Sequence, residues 1–206
     1  PTESKAPTLA PVPASSTEAS VLGATRPAPG QPSLTPWLAD VVTQHATATG
    51  RGAWKGWGQS ETAARDQAAR LVATELQRQS VRLGIPLEAL AAVSAAESKF
   101  NPRAVSETGV RGPMQVTEQT AKGYGLNRND PRQNIEAGAE LLGEMLQKYD
   151  QNLPKAVAAY NAGPRPVSEA IRRAKERRTV WLEELDAIQA GVGVPKHRRA
   201  MPYVIE

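Results

Sequence analysis

The sequence predicts an all-α fold, and three observations carry that prediction. Apolar residues make up 40% of the 206 positions, yet the aromatics are only four Trp, four Tyr and one Phe. The core must therefore be built from Ala, Leu and Val, side chains suited to close-packed helices. Apolar positions recur at i, i+3 and i+4 through most of the chain, and no stretch shows the period-2 alternation of a half-buried strand. At about 150 residues per domain, the length allows one domain with appendages.

Residues 1–34 stand apart. Eight of the 17 prolines fall within the first 36 positions, among Ala, Ser and Thr, and Glu3, Lys5, Glu18 and Arg26 balance in charge. Such a segment cannot bury enough apolar surface to offset its own ordering, so it reads as a disordered Pro/Ala-rich tether. From Thr35 the texture changes. Thr35-Pro36-Trp37-Leu38 reads as an N-cap, a proline at the first helical position and an apolar turn. The glycine-rich loop from Gly50 to Gly58 carries Trp54 and Trp57, which clamp the loop onto its domain or stack on sugar rings.

Ser60 is expected to cap a long helix to about Leu83, with Ala64, Ala68, Leu71, Val72 and Leu76 inward. Gly84 ends that helix, and Pro86 starts the next, which runs to about Ser98. Turn-rich residues 99–116 follow, then a short helix near 117–122. Asp130-Pro131 opens a long helix whose face holds Ile135, Gly138, Leu142, Met145, Leu146 and Tyr149. A further helix covers about 154–162. The region 165–190 is helical and begins with a basic run, Arg172, Arg173, Lys175, Arg177 and Arg178, that reads as a solvated face.

Composition removes several chemistries. Without cysteine there is no thiol nucleophile, disulfide framework or thiolate metal site. Two histidines, His45 and His197, exclude a multi-histidine zinc cluster. No run of 18 apolar residues is present to span a membrane, and the start, Pro1-Thr2-Glu3-Ser4-Lys5, lacks the apolar stretch of a secretory leader. The net charge of +4 suits an anionic partner without naming one. Nucleic acid is not the expected partner, because no reading motif accompanies the basic run.

One residue breaks the pattern. On a helical wheel with Leu90 at zero, Val93 falls at about 300° and Glu97 at about 340°, between two apolar side chains. Ala89, Ala91, Ala92, Ala95 and Ala96 fill the flanks, leaving little but Glu88 and Lys99 to face water. Glu97 therefore points inward in the last turn. Desolvation and the negative end of the helix dipole both favour its protonated form, as a general acid requires. The alternative is a structural carboxylate neutralised by Arg103 or Arg111.

The motifs that follow form an ordered set: Glu97-Ser98-Lys99-Phe100-Asn101-Pro102, Ala104-Val105-Ser106, Gly112-Pro113-Met114-Gln115, Asn134-Ile135 with Gly138, and Ala159-Tyr160-Asn161-Ala162-Gly163. In this order and spacing they resemble the peptidoglycan lytic transglycosylases of the soluble, goose-lysozyme-like type. The resemblance runs from about Val81 to Val167, and Leu83 to Leu90 looks like that family's approach to its catalytic helix. It implies a lysozyme-like catalytic domain over 81–206, with a basic helical end from 165, preceded by an N-terminal helical extension over 35–80.

The resemblance also implies roles. Glu97 matches the catalytic glutamate; Ser106, Met114 and Gln115 match residues lining the groove; Tyr160 matches the tyrosine near the catalytic carboxyl, and Asn161 its partner. Pro113 departs from the family's usual Leu. The acidic-Thr-Arg-x-Tyr-Val string survives only as His197-Arg198-Arg199-Ala200-Met201-Pro202-Tyr203-Val204, with Tyr203 as the expected subsite residue. The chemistry implied is cleavage of the MurNAc–GlcNAc bond with formation of 1,6-anhydro-MurNAc, one Glu acting as acid and then base. No metal or cofactor is implied, and Asn127 to Pro131 lacks the glycine and spaced acids of an EF-hand. The expected partner is the peptidoglycan glycan strand. A hydrolytic muramidase, or a non-catalytic wall or virion module, is the alternative. The absent leader, the tether and the end soon after Tyr203 suggest a virion protein that opens the wall during genome entry. An exported bacterial protein acting in the periplasm, in a secretion apparatus, is the other context.

Overall fold

The computed structural model describes residues 34–48, 54–58 and 60–194. They form eight α-helices: α1 (Leu34–Thr47), α2 (Thr62–Leu83), α3 (Leu87–Ser98), α4 (Glu118–Gly123), α5 (Pro131–Lys148), α6 (Leu153–Ala162), α7 (Pro164–Arg177) and α8 (Trp181–Gly191). Among the described residues, paired extended backbone is confined to two isolated bridges, Val105 to Arg111 and Arg111 to Val116. The all-α expectation is met. The expected tether and Tyr203 lie outside the described residues.

The Asp130 carboxylate accepts hydrogen bonds from the backbone N–H of Arg132 (2.8 Å) and Gln133 (3.3 Å), satisfying donors that the first turn of α5 leaves open. Pro131 stands where a missing N–H costs nothing. The helix then buries Ile135, Gly138, Leu142, Met145 and Leu146 along one side, and the following Tyr149 is also buried, as the sequence pattern predicts. It packs on α2 and on α6, while α1 lies on α2, and α6, α7 and α8 follow one another. Leu38 of α1, Leu76 of α2, Leu90 of α3, Leu142 of α5 and Leu185 of α8 are fully buried in one core. Each such side chain stabilises the fold by about 1.5–3 kcal/mol relative to exposure.

Several helix ends differ from the sequence expectation. α1 begins at Leu34, ahead of the expected Thr35 cap. At the start of α2 it is Glu61, not Ser60, that holds the N-cap position. The Glu61 carboxylate accepts from the Gly58 N–H at 2.6 Å. The inward face of α2 is Ala69, Val72, Ala73 and Leu76, and Ala64 is exposed. Glu75 and Gln79 are also buried on it, with Glu75 accepting from Arg78 and Gln79, both at 2.7 Å. Gly84 ends α2 in the left-handed conformation, as expected, whereas Pro86 precedes α3 as its N-cap. The expected single helical stretch from 165 to 190 is two helices, broken at Arg178, whose φ is +57°.

On α7 the basic run is a solvated face. Arg172 bridges Glu169 (2.7 Å) and Glu176 (2.6 Å), Arg173 reaches Glu169 (2.7 Å), and Arg177 reaches the buried Glu184 of α8 (3.3 Å). Arg172 and then Arg173 hold the Glu169 carboxyl down to about 2.

Candidate active site

α3 delivers Glu97 half-buried in its last turn. Ala96 beside it is exposed and Ala92 and Ala95 are partly so, which gives α3 a wider solvent edge than the wheel implies. The helix stops abruptly because Lys99 (φ +56°) and Phe100 (φ +63°) both enter the left-handed region, a conformation costing on the order of 1–2 kcal/mol per non-glycine residue. Neighbours outside α3 hold that turn. The Phe100 ring is fully buried and lies 5.3 Å from His45 of α1. Trp54 donates its indole N–H to the Lys99 carbonyl at 2.7 Å, and Trp57 donates to Asn101 Oδ1 at 3.0 Å. The two tryptophans are therefore the clamp, not a free sugar platform.

The loop 104–116 is fastened to the same helix. Ser94 and Ser98, one turn apart on α3, both donate to the Pro113 carbonyl, at 3.1 and 2.7 Å. The next carbonyl, that of Met114, accepts the Tyr160 hydroxyl at 2.7 Å, which brings α6 to the loop. From α5, fully buried Asn134 accepts from the Met114 N–H (3.0 Å) and donates to the carbonyls of Arg111 (2.8 Å) and Arg128 (3.1 Å). Two glycines permit this packing. A Cβ on Gly112 would lie 2.5 Å from Asn134 Cγ, and one on Gly138 would lie 2.5 Å from Met114 Cβ.

The Glu97 carboxyl is pushed up to about 7 by burial, opposed by a hydrogen bond to the Asn161 side chain. At neutral pH it is thus poised between acid and base. The salt-bridge alternative fails. Arg103 lies 3.7 Å over the Trp57 ring and pairs with Glu61 at 3.0 Å, and Arg111 lines a separate pocket. Burial, and then the neighbouring Glu97 and Tyr124, raises the Tyr160 phenol well above its ordinary value, so it remains a hydrogen-bond donor.

Of the residues expected in the site, the structure gathers Glu97, Tyr160 and Asn161, with Met114 joined through its backbone. The Met114 side chain is 0% exposed, so the thioether expected to floor the groove lies beneath it, in the core. Gln115 (φ +48°) turns its amide back to the Gly112 carbonyl at 3.0 Å. Ser106 is engaged in its own turn, near the Thr108 hydroxyl at 3.0 Å and accepting from the Val110 N–H at 3.2 Å. Sequence reasoning missed Ser94 and Ser98 as loop anchors, although their i, i+4 spacing on the helix of Glu97 was visible.

The helical fold thus braces a glutamate that holds its proton to about pH 7 against a glycine-bearing loop. The Transglycosylase SLT domain family matches residues 75–180, just over half of the sequence, and the chain belongs to that family. It is 46% identical over 88 residues to membrane-bound lytic murein transglycosylase F of Pseudoalteromonas translucida (strain TAC 125), covering 39% of this chain and 19% of that protein. The corresponding protein of Shewanella pealeana is 42% identical over 101 residues, 46% of this chain and 21% of that one. The chain thus spans about a fifth of the length of these relatives. An inactive mutant of the lytic transglycosylase Slt from Pseudomonas aeruginosa superposes at a TM-score of 0.45 and 20% identity, over 80% of this chain and 30% of that one.

Proposed function

We propose that the protein is a peptidoglycan lytic transglycosylase in which Glu97 acts twice, first as acid and then as base. One observation carries this reading: a half-buried carboxyl whose partner is the neutral Asn161, set against the loop that Ser94, Ser98, Asn134 and Tyr160 hold in place. Protonated Glu97 gives its proton to the glycosidic oxygen as the bond to the N-acetylmuramic acid C1 breaks. The resulting carboxylate takes the proton of the C6 hydroxyl of the same sugar, whose oxygen closes onto C1. The nucleophile belongs to the substrate, so one ionisable group serves both steps, unlike the carboxylate pair of ordinary glycosidases. Asn161 orients the carboxyl. Gln115 and Ser106 are the proposed sugar contacts on the loop, and Tyr203 the proposed further subsite.

Digesting purified peptidoglycan and weighing the products tests this. Anhydro-muropeptides, one water lighter than hydrolytic products, are expected from the native chain, and none from Glu97→Gln. Hydrolytic products would make the protein a muramidase instead; equal turnover by both proteins would overturn the role of Glu97. The wall is the site of action on this reading. Carriage in a virion is the finer proposal, supported by a Pro- and Ala-rich first 34 residues suited to tethering. Detection of the chain in purified particles tests it, and absence from them overturns it.

A further inference from the structure

The tip of the loop braced against α3 holds Pro113, where the chain departs from the family's usual Leu. Arg111 and Val116 exchange two backbone hydrogen bonds, at 3.3 and 3.0 Å, and the Gln115 N–H donates to the Gly112 carbonyl at 3.2 Å. The tip is therefore a narrow hairpin closed by a turn from Gly112 to Gln115, with Pro113 in second place. A proline ring holds φ at about −65°, the value this place takes in the common turns. The ends of the turn are the strained part, since Gly112 (φ +76°) and Gln115 (φ +48°) are both left-handed.

From Gly112 to Met114 each backbone polar group has its partner inside the protein. The Gly112 N–H donates to the Ala104 carbonyl at 2.9 Å, and the Gly112 carbonyl accepts from both the N–H and the side-chain amide of Gln115. Pro113 has no N–H, and its carbonyl accepts from Ser94 and Ser98. Met114 is bonded at both ends, to Asn134 and Tyr160. All three residues are buried. Any other residue at 113 would bring one more buried donor to a tip whose Gly112 and Pro113 carbonyls each already accept two. It would also release the φ that the ring fixes, which favours every open form of the loop.

We propose that Pro113 is a positioning residue that keeps this loop closed on the Glu97 helix before any glycan arrives. It touches no reacting atom and acts through Ser94 and Ser98, which fasten its carbonyl to α3. A groove wall that is already in place need not be ordered by the substrate, so no ordering cost weakens binding. The benefit to catalysis rests on the transglycosylase reading, whereas the closed state of the free loop does not.

Amide hydrogen exchange on the whole free chain tests the closed loop directly. With no glycan present, the Met114, Gln115 and Val116 amides are expected to be protected, and to exchange about tenfold faster in Pro113→Leu. Exchange in the native chain as fast as in an unstructured peptide would overturn the proposal, and so would equal protection in the two proteins. Pro113→Ala adds the same N–H without the larger side chain and is expected to loosen the loop as Pro113→Leu does. An Ala variant as protected as the native chain would assign the effect to side-chain size and overturn the proposal. Digestion of soluble glycan strands supplies the second readout. Because only closed loops bind, KM is expected to rise about threefold in both variants, with kcat at saturation unchanged. A fall in kcat at unchanged KM would mean a merely structural role and overturn the positioning one. Failure of the native chain to cleave the strands would instead overturn the transglycosylase reading, while exchange still decides whether Pro113 holds the loop closed.

Discussion

A carboxyl in the last turn of a helix meets the negative end of the helix dipole, and in Glu97 it also loses much of its water. The folded protein therefore binds this proton up to about pH 7, whereas an unfolded chain releases it near 4.5. The raised value has a definite sign. Below pH 4.5 both states are protonated and the group makes no difference; above 7 the native state must ionise a carboxyl that the unfolded chain ionises freely. Glu97→Gln should accordingly melt like the native protein at pH 4 and be more stable at pH 8, by about 3 kcal/mol. Thermal melts across that range check it, and a gap at acid pH instead would contradict the assignment. Asn161 stabilises the charged form. Asn161→Leu should move the alkaline limb of the pH–rate profile upward while lowering the rate, as steady-state digestion at a series of pH values would reveal.

Among the elements, α3 and the loop 104–116 act as a pair, because two serines of one hold a single carbonyl of the other. Ser98→Ala removes the shorter of those bonds and should cost about 1 kcal/mol. Its effect on turnover is expected to exceed its effect on stability, a comparison of kcat with denaturant midpoints. Gly138→Ala pushes a methyl toward Met114 Cβ and the Tyr160 hydroxyl, 2.9 Å away, and should destabilise by about 1–3 kcal/mol in urea unfolding. The helices themselves were legible from sequence, since Ile135, Leu142 and Met145 repeat at helical spacing and Asp130-Pro131 announces its own cap. The inward aim of Glu97 was legible for the same reason. Met114 was not. In an irregular loop no period tells which side chain faces the core, and only the approach of Gly138 and Tyr160 buries it. The α2 face was misplaced because alanines surround that helix, and the carboxylate of Glu75, paired with Arg78, takes a core position that hydropathy alone would refuse.

Across the whole molecule, buried residues of every helix from α1 to α8 belong to one core, except that α3 also closes on the clamp formed by Trp54 and Trp57. Unfolding should therefore be a single transition. Far-ultraviolet dichroism, which follows all the helices, and tryptophan fluorescence, which follows Trp37, Trp54, Trp57 and Trp181, are expected to give coincident denaturant curves. An earlier fluorescence transition would mean that the segment before α2 detaches by itself.

The clamp lies upstream of the family match, which opens at residue 75. A recombinant piece trimmed to residues 75–180 would keep every matched motif and yet discard His45, Trp54 and Trp57, the outside braces on the strained turn behind Glu97. Its helix end would be at liberty to unwind, water would flood the acid, and the fragment would look right in an alignment while having surrendered its proton.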